Sequence, residues 1–401
     1  MMRRVSIGVA AALLMATMAW RTSGQVSSFP AGQPLSGVTP AEFERFRVGQ
    51  EDFLEVETAE EGLGPAFNGT SCAVCHSVPT VGGGGFVAEI RAGIRDADGQ
   101  FRPVVSPDGT SGETLFHLFS TPGHACQPIL PPEVNVIARR IPIPLFGAGL
   151  VEAIADETIA ALADPDDRNR DGISGRVAWV RDLSTGETRA GRFGWKSQHA
   201  SLRAFSADAY RNEMGITNEL VPTELAIGIS PERMRLCAPI PDPEDVRDPR
   251  TGLSALDNFE AFMKFLAPLQ RRPVLDAGRV REGQQVFAAI GCDRCHVPVM
   301  ETDRSANRLF DRRPVALFSD LLLHDVGTGD GIGQDSALPN EIRTPSLWGV
   351  HARRMLLHDG SATTLDEAIL RHANEAVLSR DGFLQLDDDA KAALREFLNS
   401  L

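Results

Sequence analysis

The chain has 401 residues, 42% of them apolar, and a formal charge of −14. A chain of that length and apolar content can bury two or three cores. Its acidity argues against nucleic acid and anionic membranes as partners.

Arg3 and Arg4 precede an apolar run over 5–20, and small residues follow at Thr22-Ser23-Gly24. That is the order of a secretory signal, and the run is shorter than the roughly 20 apolar residues that span a bilayer. The expectation is a signal peptide over 1–24, a periplasmic location and no stable membrane span in the mature form. Loss of the three arginines in 1–24 would make the chain more acidic still.

Thr39-Pro40-Ala41-Glu42 is a capping box with proline at the first helical position. It predicts a helix with Phe43, Phe46 and Phe53 on its apolar side. The helix leads to Cys72-Ala73-Val74-Cys75-His76, and the same pattern returns at Cys292-Asp293-Arg294-Cys295-His296. Each reads as a c-type haem site, where two thiols form thioethers and the adjacent histidine becomes the proximal iron ligand. Zinc and thiol redox pairs also use Cys-x-x-Cys, but neither needs a histidine directly after the second cysteine. Two covalent haem c groups are therefore expected. The glycines at 82–85 let the backbone pass close to something bulky, such as a haem, or form a plain loop.

From about 86 to 250 the chain is rich in Gly, Pro and short β-branched stretches such as 134–143, which predicts irregular structure with small sheets. Cys126 and Cys237 are left once the haem cysteines are removed, and an oxidising compartment favours a disulfide between them. Asp167, Asn169 and Asp171 before Gly172 have the spacing that opens a calcium loop, but Ala178 holds the position of the closing glutamate, so calcium and an Asx-rich turn both fit. Ser254 starts a helix with Phe259, Phe262, Met263 and Leu266, ended by Pro268. Arg271-Arg272-Pro273 is the expected joint between domains at 25–270 and 271–401. Beyond it, Gly283-Gln284-Gln285-Val286-Phe287 leads as a helix into Cys292, and later helices start near Thr364 and Asp387.

Leu63-Gly64-Pro65-Ala66-Phe67-Asn68, Gly191-Arg192-Phe193-Gly194-Trp195-Lys196, Leu323-His324-Asp325-Val326-Gly327, Arg343-Thr344-Pro345-Ser346-Leu347-Trp348 and Leu357-His358-Asp359-Gly360 resemble, as an ordered set, the bacterial di-haem oxidoreductases. These are also called thiol oxidoreductases and are related to di-haem cytochrome c peroxidases. The resemblance runs from about residue 40 to the end. It implies a mainly α fold of two cytochrome c-like haem domains, the N-terminal one enlarged by loops and small β-sheets. In the peroxidase relatives the second haem takes its distal ligand fourteen residues after the histidine of a His-x-Gly turn. From His358 this gives His372, two turns into a helix capped by Thr364 and Glu367, and a bis-histidine iron with His296.

For the first haem, His76 is proximal and His117, His124 and His199 offer no equally supported distal ligand, so an open iron is expected. Glu152 is the candidate acid or base of peroxide cleavage, with a solvated carboxylate as the plain alternative. Trp195 is the candidate relay between the haems, or core material. The expected function is a peroxidase-like di-haem oxidoreductase, fed at the C-terminal haem by a small redox protein and reducing hydrogen peroxide at the N-terminal one. A di-haem oxygenase using oxygen on an apolar substrate, and a non-catalytic electron carrier, are the alternatives.

Overall fold

The computed structural model of the protein describes residues 31–105, 112–121, 126–224, 226–237 and 243–401. The expected signal over 1–24 and His124 lie outside them.

Two helix pairs organise the chain around the two Cys-x-x-Cys-His segments. In the first, the helix Pro40–Leu54, capped by the Thr39–Glu42 box, packs on Ala255–Phe265, capped by a Ser254–Asp257 box. In the second, Ala277–Ala289, capped by Asp276, packs on Asp388–Ser400, capped by Asp387. Both pairs cross at a glycine: a Cβ on Gly49 would stand 2.1 Å from the carbonyl oxygen of Asn258, and one on Gly283 would stand 2.0 Å from that of Ala393. At each crossing a phenylalanine of the later helix, Phe262 or Phe397, closes over the glycine. A buried phenylalanine four residues on, Phe53 or Phe287, carries the crossing to the histidine of its own motif, with ring centroids 6.3 Å from His76 and 6.4 Å from His296. Phe46 and Phe53 are buried as expected, but Phe43 is 47% exposed, because it lies off the stripe that meets the partner helix.

Between the two helices of the first pair the chain forms small antiparallel sheets. The strand Glu89–Arg95 pairs with Phe101–Val105, Leu115–Phe116 and Val136–Arg140. The largest apolar core joins residues of the first helix pair to Met300, Phe310, Val315, Leu317, Leu321 and Leu322 of the C-terminal part. The second core, around Phe287, Phe318, Phe383 and Phe397, comes from the C-terminal part alone. Cys126 and Cys237 form a disulfide, and no helix among the described residues is long and apolar enough to cross a membrane.

The glycine crossings give a stability prediction. Alanine at Gly49 or Gly283 must push two helices apart against backbone, and should cost roughly 1–3 kcal/mol by overpacking. Urea midpoints of the two single variants check it; unchanged midpoints would mean that the helices separate freely.

Candidate active site

Each motif lines its own cavity. The first, about 170 Å³, is bounded by Cys72, Cys75 and His76, with Glu89, Arg140 and Glu213 among its other walls. The second, about 210 Å³, is bounded by Cys292, Cys295 and His296, with His358 and His372. Ile141, Pro142 and Trp195 line both, so they form the wall between them. Trp195 is 8% exposed, donates its indole N–H to the Ile141 carbonyl at 2.8 Å, and meets the His358 ring edge-on at 6.2 Å.

The histidines are oriented alike. Nδ1 of His76 meets the carbonyl oxygen of Gly83 at 2.8 Å, that of His296 meets Phe318 at 3.0 Å, and that of His372 meets Ala368 at 2.8 Å. A ring that donates from Nδ1 leaves Nε2 as the free lone pair, the arrangement a metal-ligating imidazole needs. Burial lowers all three pKa values, which keeps the rings neutral. Glycine is required around His76, since a Cβ on Gly83 would meet the Val78 carbonyl oxygen at 2.1 Å and one on Gly85 that of Cys75 at 2.1 Å.

The four motif cysteines are unpaired, and burial pushes their thiols up, to about 12 for Cys75 and Cys292. A reactive dithiol needs the opposite shift. Among the described residues, Cys72, Cys75 and His76 belong to no compact metal-binding group of side chains; the one such group is Cys295 with Asp320 and His324. His324 is held between Asp320 and Glu375, both at 2.8 Å, which keeps it an imidazolium beside the second cavity.

Both cavities suit a large apolar group with acidic arms. Arg343 and Arg353 line the second cavity and donate only to backbone carbonyls, with no carboxylate partner among the described residues. Burial brings both down to about 10. In the first cavity Arg140 is 1% exposed and pairs through Nε with Asp330 at 2.7 Å, with only its Nη2 left without a partner. Buried guanidinium groups without a carboxylate, as at Arg343 and Arg353, are costly, and the two propionates of a haem are anions of the right kind.

His372 lines the second cavity but not from within a helix. The Thr364–Glu367 capping box forms, yet the helix ends at Leu370, because the Ala373 N–H bonds to the Val326 carbonyl and draws the chain away. Glu152 does not line either cavity; its carboxylate accepts from the Leu202 N–H at 2.7 Å, at the start of the helix Leu202–Ala209. The carboxylates that do line the first cavity are Glu89, Glu213 and Asp208, the last paired with His199, and the sequence reading missed all three. His117 and His199 line neither cavity: His117 donates to the Asn212 carbonyl and His199 pairs with Asp208. Besides His76, no histidine among the described residues lines the first cavity, whereas Met214 and Met263 do. The side chains of Asp167, Asn169 and Asp171 accept from the backbone N–H groups of Gly172, Asp171 and Ile173. The contacts of Asn169 and Asp171 are Asx turns, and that of Asp167 spans five residues.

Residues 127–401 match the protein family described as "Di-haem oxidoreductase, putative peroxidase". No curated protein matches the chain. Among solved structures, the diheme peroxidase BthA of Burkholderia thailandensis is 16% identical, with a TM-score of 0.41 over 92% of this chain and 87% of that one. Hydrazine synthase of Kuenenia stuttgartiensis is also 16% identical, with a TM-score of 0.39 over 98% of this chain and 100% of that one. A MauG-like protein associated with microbial copper homeostasis is 16% identical, with a TM-score of 0.34 over 64% of this chain and 89% of that one.

Proposed function

Because the chain belongs to the di-haem oxidoreductase family, we propose that it is a periplasmic c-type enzyme that reduces hydrogen peroxide in the His76 cavity, with electrons entering from a small redox protein at the His296 cavity. The observation that carries this reading is the shared wall: Trp195 lines both cavities, so the two motifs are neighbours across one buried indole. Cys72, Cys75 and His76 would hold one haem, and Cys292, Cys295 and His296 the other, with His372 as its second axial ligand. A haem supplies a one-electron iron centre, open to a small ligand where one axial position is free and restricted to electron transfer where both are filled.

The residues of the chain supply the rest. Arg91 grips Glu89 through two hydrogen bonds of 2.9 and 2.8 Å and holds its carboxylate below the usual range. Burial and the Glu89 charge push Glu213 well above that range, so Glu213 carries a proton and donates it in a hydrogen bond to Glu89. Asn68 Nδ2 donates to the Glu213 carboxyl at 3.2 Å. A neutral carboxylic acid in the cavity wall can protonate the leaving oxygen of peroxide and recover a proton from bulk solvent. Glu89, Arg91 and Glu213 offer hydrogen bonds to a small polar substrate at one wall of that cavity, which favours peroxide reduction over oxygenase chemistry.

The sign of the pH dependence follows. The acid form of Glu213 is present below its raised pKa, so the rate of peroxide reduction should fall as pH rises through that value. Glu213→Gln, which keeps the shape but cannot give up a proton, should lower that rate by about 10²-fold or more and abolish this limb of the profile. Stopped-flow optical and EPR traces with hydrogen peroxide test the whole reading. The His76 haem should be oxidised first; a ferric His76 haem already closed by a protein ligand and inert to peroxide would leave an electron carrier instead.

A further inference from the structure

Tyr210 is the single tyrosine of the chain, and no step above uses it. It opens the π-helical segment Tyr210–Met214, which continues the helix Leu202–Ala209. Such wide turns are rare and recur at functional sites. Four of its five residues, Tyr210, Asn212, Glu213 and Met214, line the His76 cavity, so the widened turn presents the phenol and the acid to one space. The Tyr210 residue is 3% exposed, and its ring stands edge-on to Phe259 with centroids 4.5 Å apart. Its hydroxyl is paired electrostatically with the carboxylate of Glu244, itself buried and within electrostatic range of Asp52, Glu55 and Asp245. Burial keeps the phenol protonated at rest and pushes the Glu244 carboxyl up to about 7, which makes it a stronger base than an exposed carboxylate.

We propose that Tyr210 is a proton-coupled electron donor to the His76 cavity, with Glu244 as its proton acceptor. The inference rests on the peroxide reading. Reducing hydrogen peroxide to two waters takes two electrons and two protons, and Tyr210 can supply one of the electrons. Its O–H bond breaks, the electron goes to the peroxide reduction in the cavity, the proton forms a new O–H bond on the Glu244 carboxylate, and a neutral phenoxyl remains. The second electron arrives from the His296 side. A later electron from the same side, with return of the proton from Glu244, restores the phenol. A buried phenol with no base beside it would have to become a cation in an apolar wall, which is far more costly. The pair therefore drains an oxidising equivalent from the cavity when the donor is late.

The test needs no change at Tyr210. The haem-loaded protein is prepared with ordinary and with ring-deuterated tyrosine, mixed with hydrogen peroxide in the absence of donor, and freeze-quenched for EPR. A second set is oxidised by photogenerated ruthenium(III) tris-bipyridine, without peroxide. An organic radical whose signal narrows on ring deuteration is expected in both sets, and with one tyrosine in the chain it can only be Tyr210. In Glu244→Gln, whose amide still accepts a hydrogen bond but is a very weak base, radical yield should fall by roughly tenfold or more while peroxide is still consumed. Consumption of peroxide with no deuterium-sensitive signal in either set, or an undiminished yield in Glu244→Gln, overturns the proposal. A deuterium-sensitive signal with the ruthenium oxidant, in protein that does not consume peroxide, keeps Tyr210 as a redox residue and removes the peroxide reading.

Discussion

Alanine at both Cys292 and Cys295 should halve the haem that stays with the polypeptide through denaturation and acid–acetone extraction, and the Cys72/Cys75 pair should remove the other half. Thioether bonds do not depend on the fold, so haem held only by packing or by axial histidines would leave with the solvent. The two sets of cysteines line different cavities, and none is bonded to another cysteine. Loss of one set should therefore leave the other able to mature. Intact mass reports the result directly: wild type heavier than the bare chain by two haems, each double variant by one. A wild-type chain matured outside the cytoplasm and still of apo mass would end the c-type reading. The wall between the cavities adds a finer expectation. Removing either haem should slow oxidation of the remaining one by peroxide or its re-reduction, according to which side of Trp195 is emptied.

Much of this arrangement is visible in the residues before any fold is known. The capping boxes at Thr39 and Ser254 start helices where the sequence predicts, because each cap satisfies backbone donors within one turn and needs no tertiary help. The duplication of the architecture is legible too, in a pattern easily passed over: Arg47-Val48-Gly49-Gln50-Glu51-Asp52-Phe53 and Arg281-Glu282-Gly283-Gln284-Gln285-Val286-Phe287 share arginine, glycine, glutamine and phenylalanine at the same spacing. The shared glycine and phenylalanine are the residues that touch the partner helix and the motif histidine. What sequence cannot supply is the acidic wall of the first cavity. Glu89 lies on a strand and Glu213 in a π-helical turn, more than a hundred residues apart, and only the fold brings the two carboxyls together. Glu152 has the better local setting in sequence, but its carboxylate is taken up by the N–H of Leu202 at a helix start. His372 shows the reverse case: its place past the helix end differs from the pattern, yet its ring still reaches the second cavity.

Replacing His372 by alanine should convert the His296 haem from low-spin bis-histidine to an open, high-spin centre, the second large effect expected here. Besides His296, three histidines line the cavity; Asp320 and Glu375 hold His324 as an imidazolium, which leaves His358 and His372 to close that iron. Their settings differ. His372 gives its Nδ1 to the Ala368 carbonyl, which fixes the tautomer and leaves Nε2 for the metal. His358 has no partner at Nδ1 and stands edge-on to Trp195, so nothing fixes its tautomer for ligation. His358→Ala should accordingly leave the low-spin EPR signal in place, while His372→Ala abolishes it. His372→Met should keep the iron six-coordinate and raise its reduction potential by on the order of 0.1 V, within the ~0.8 V that axial ligands span, since thioether favours the ferrous state. With peroxide, both His372 variants should leave first oxidation of the His76 haem nearly unchanged and slow its re-reduction, because the defect lies on the supply side of Trp195. A low-spin signal that survives in His372→Ala and disappears in His358→Ala would move the ligand to His358. It would also put the iron's own ligand against the indole, and the wall between the two centres would then be a ligand-to-tryptophan contact.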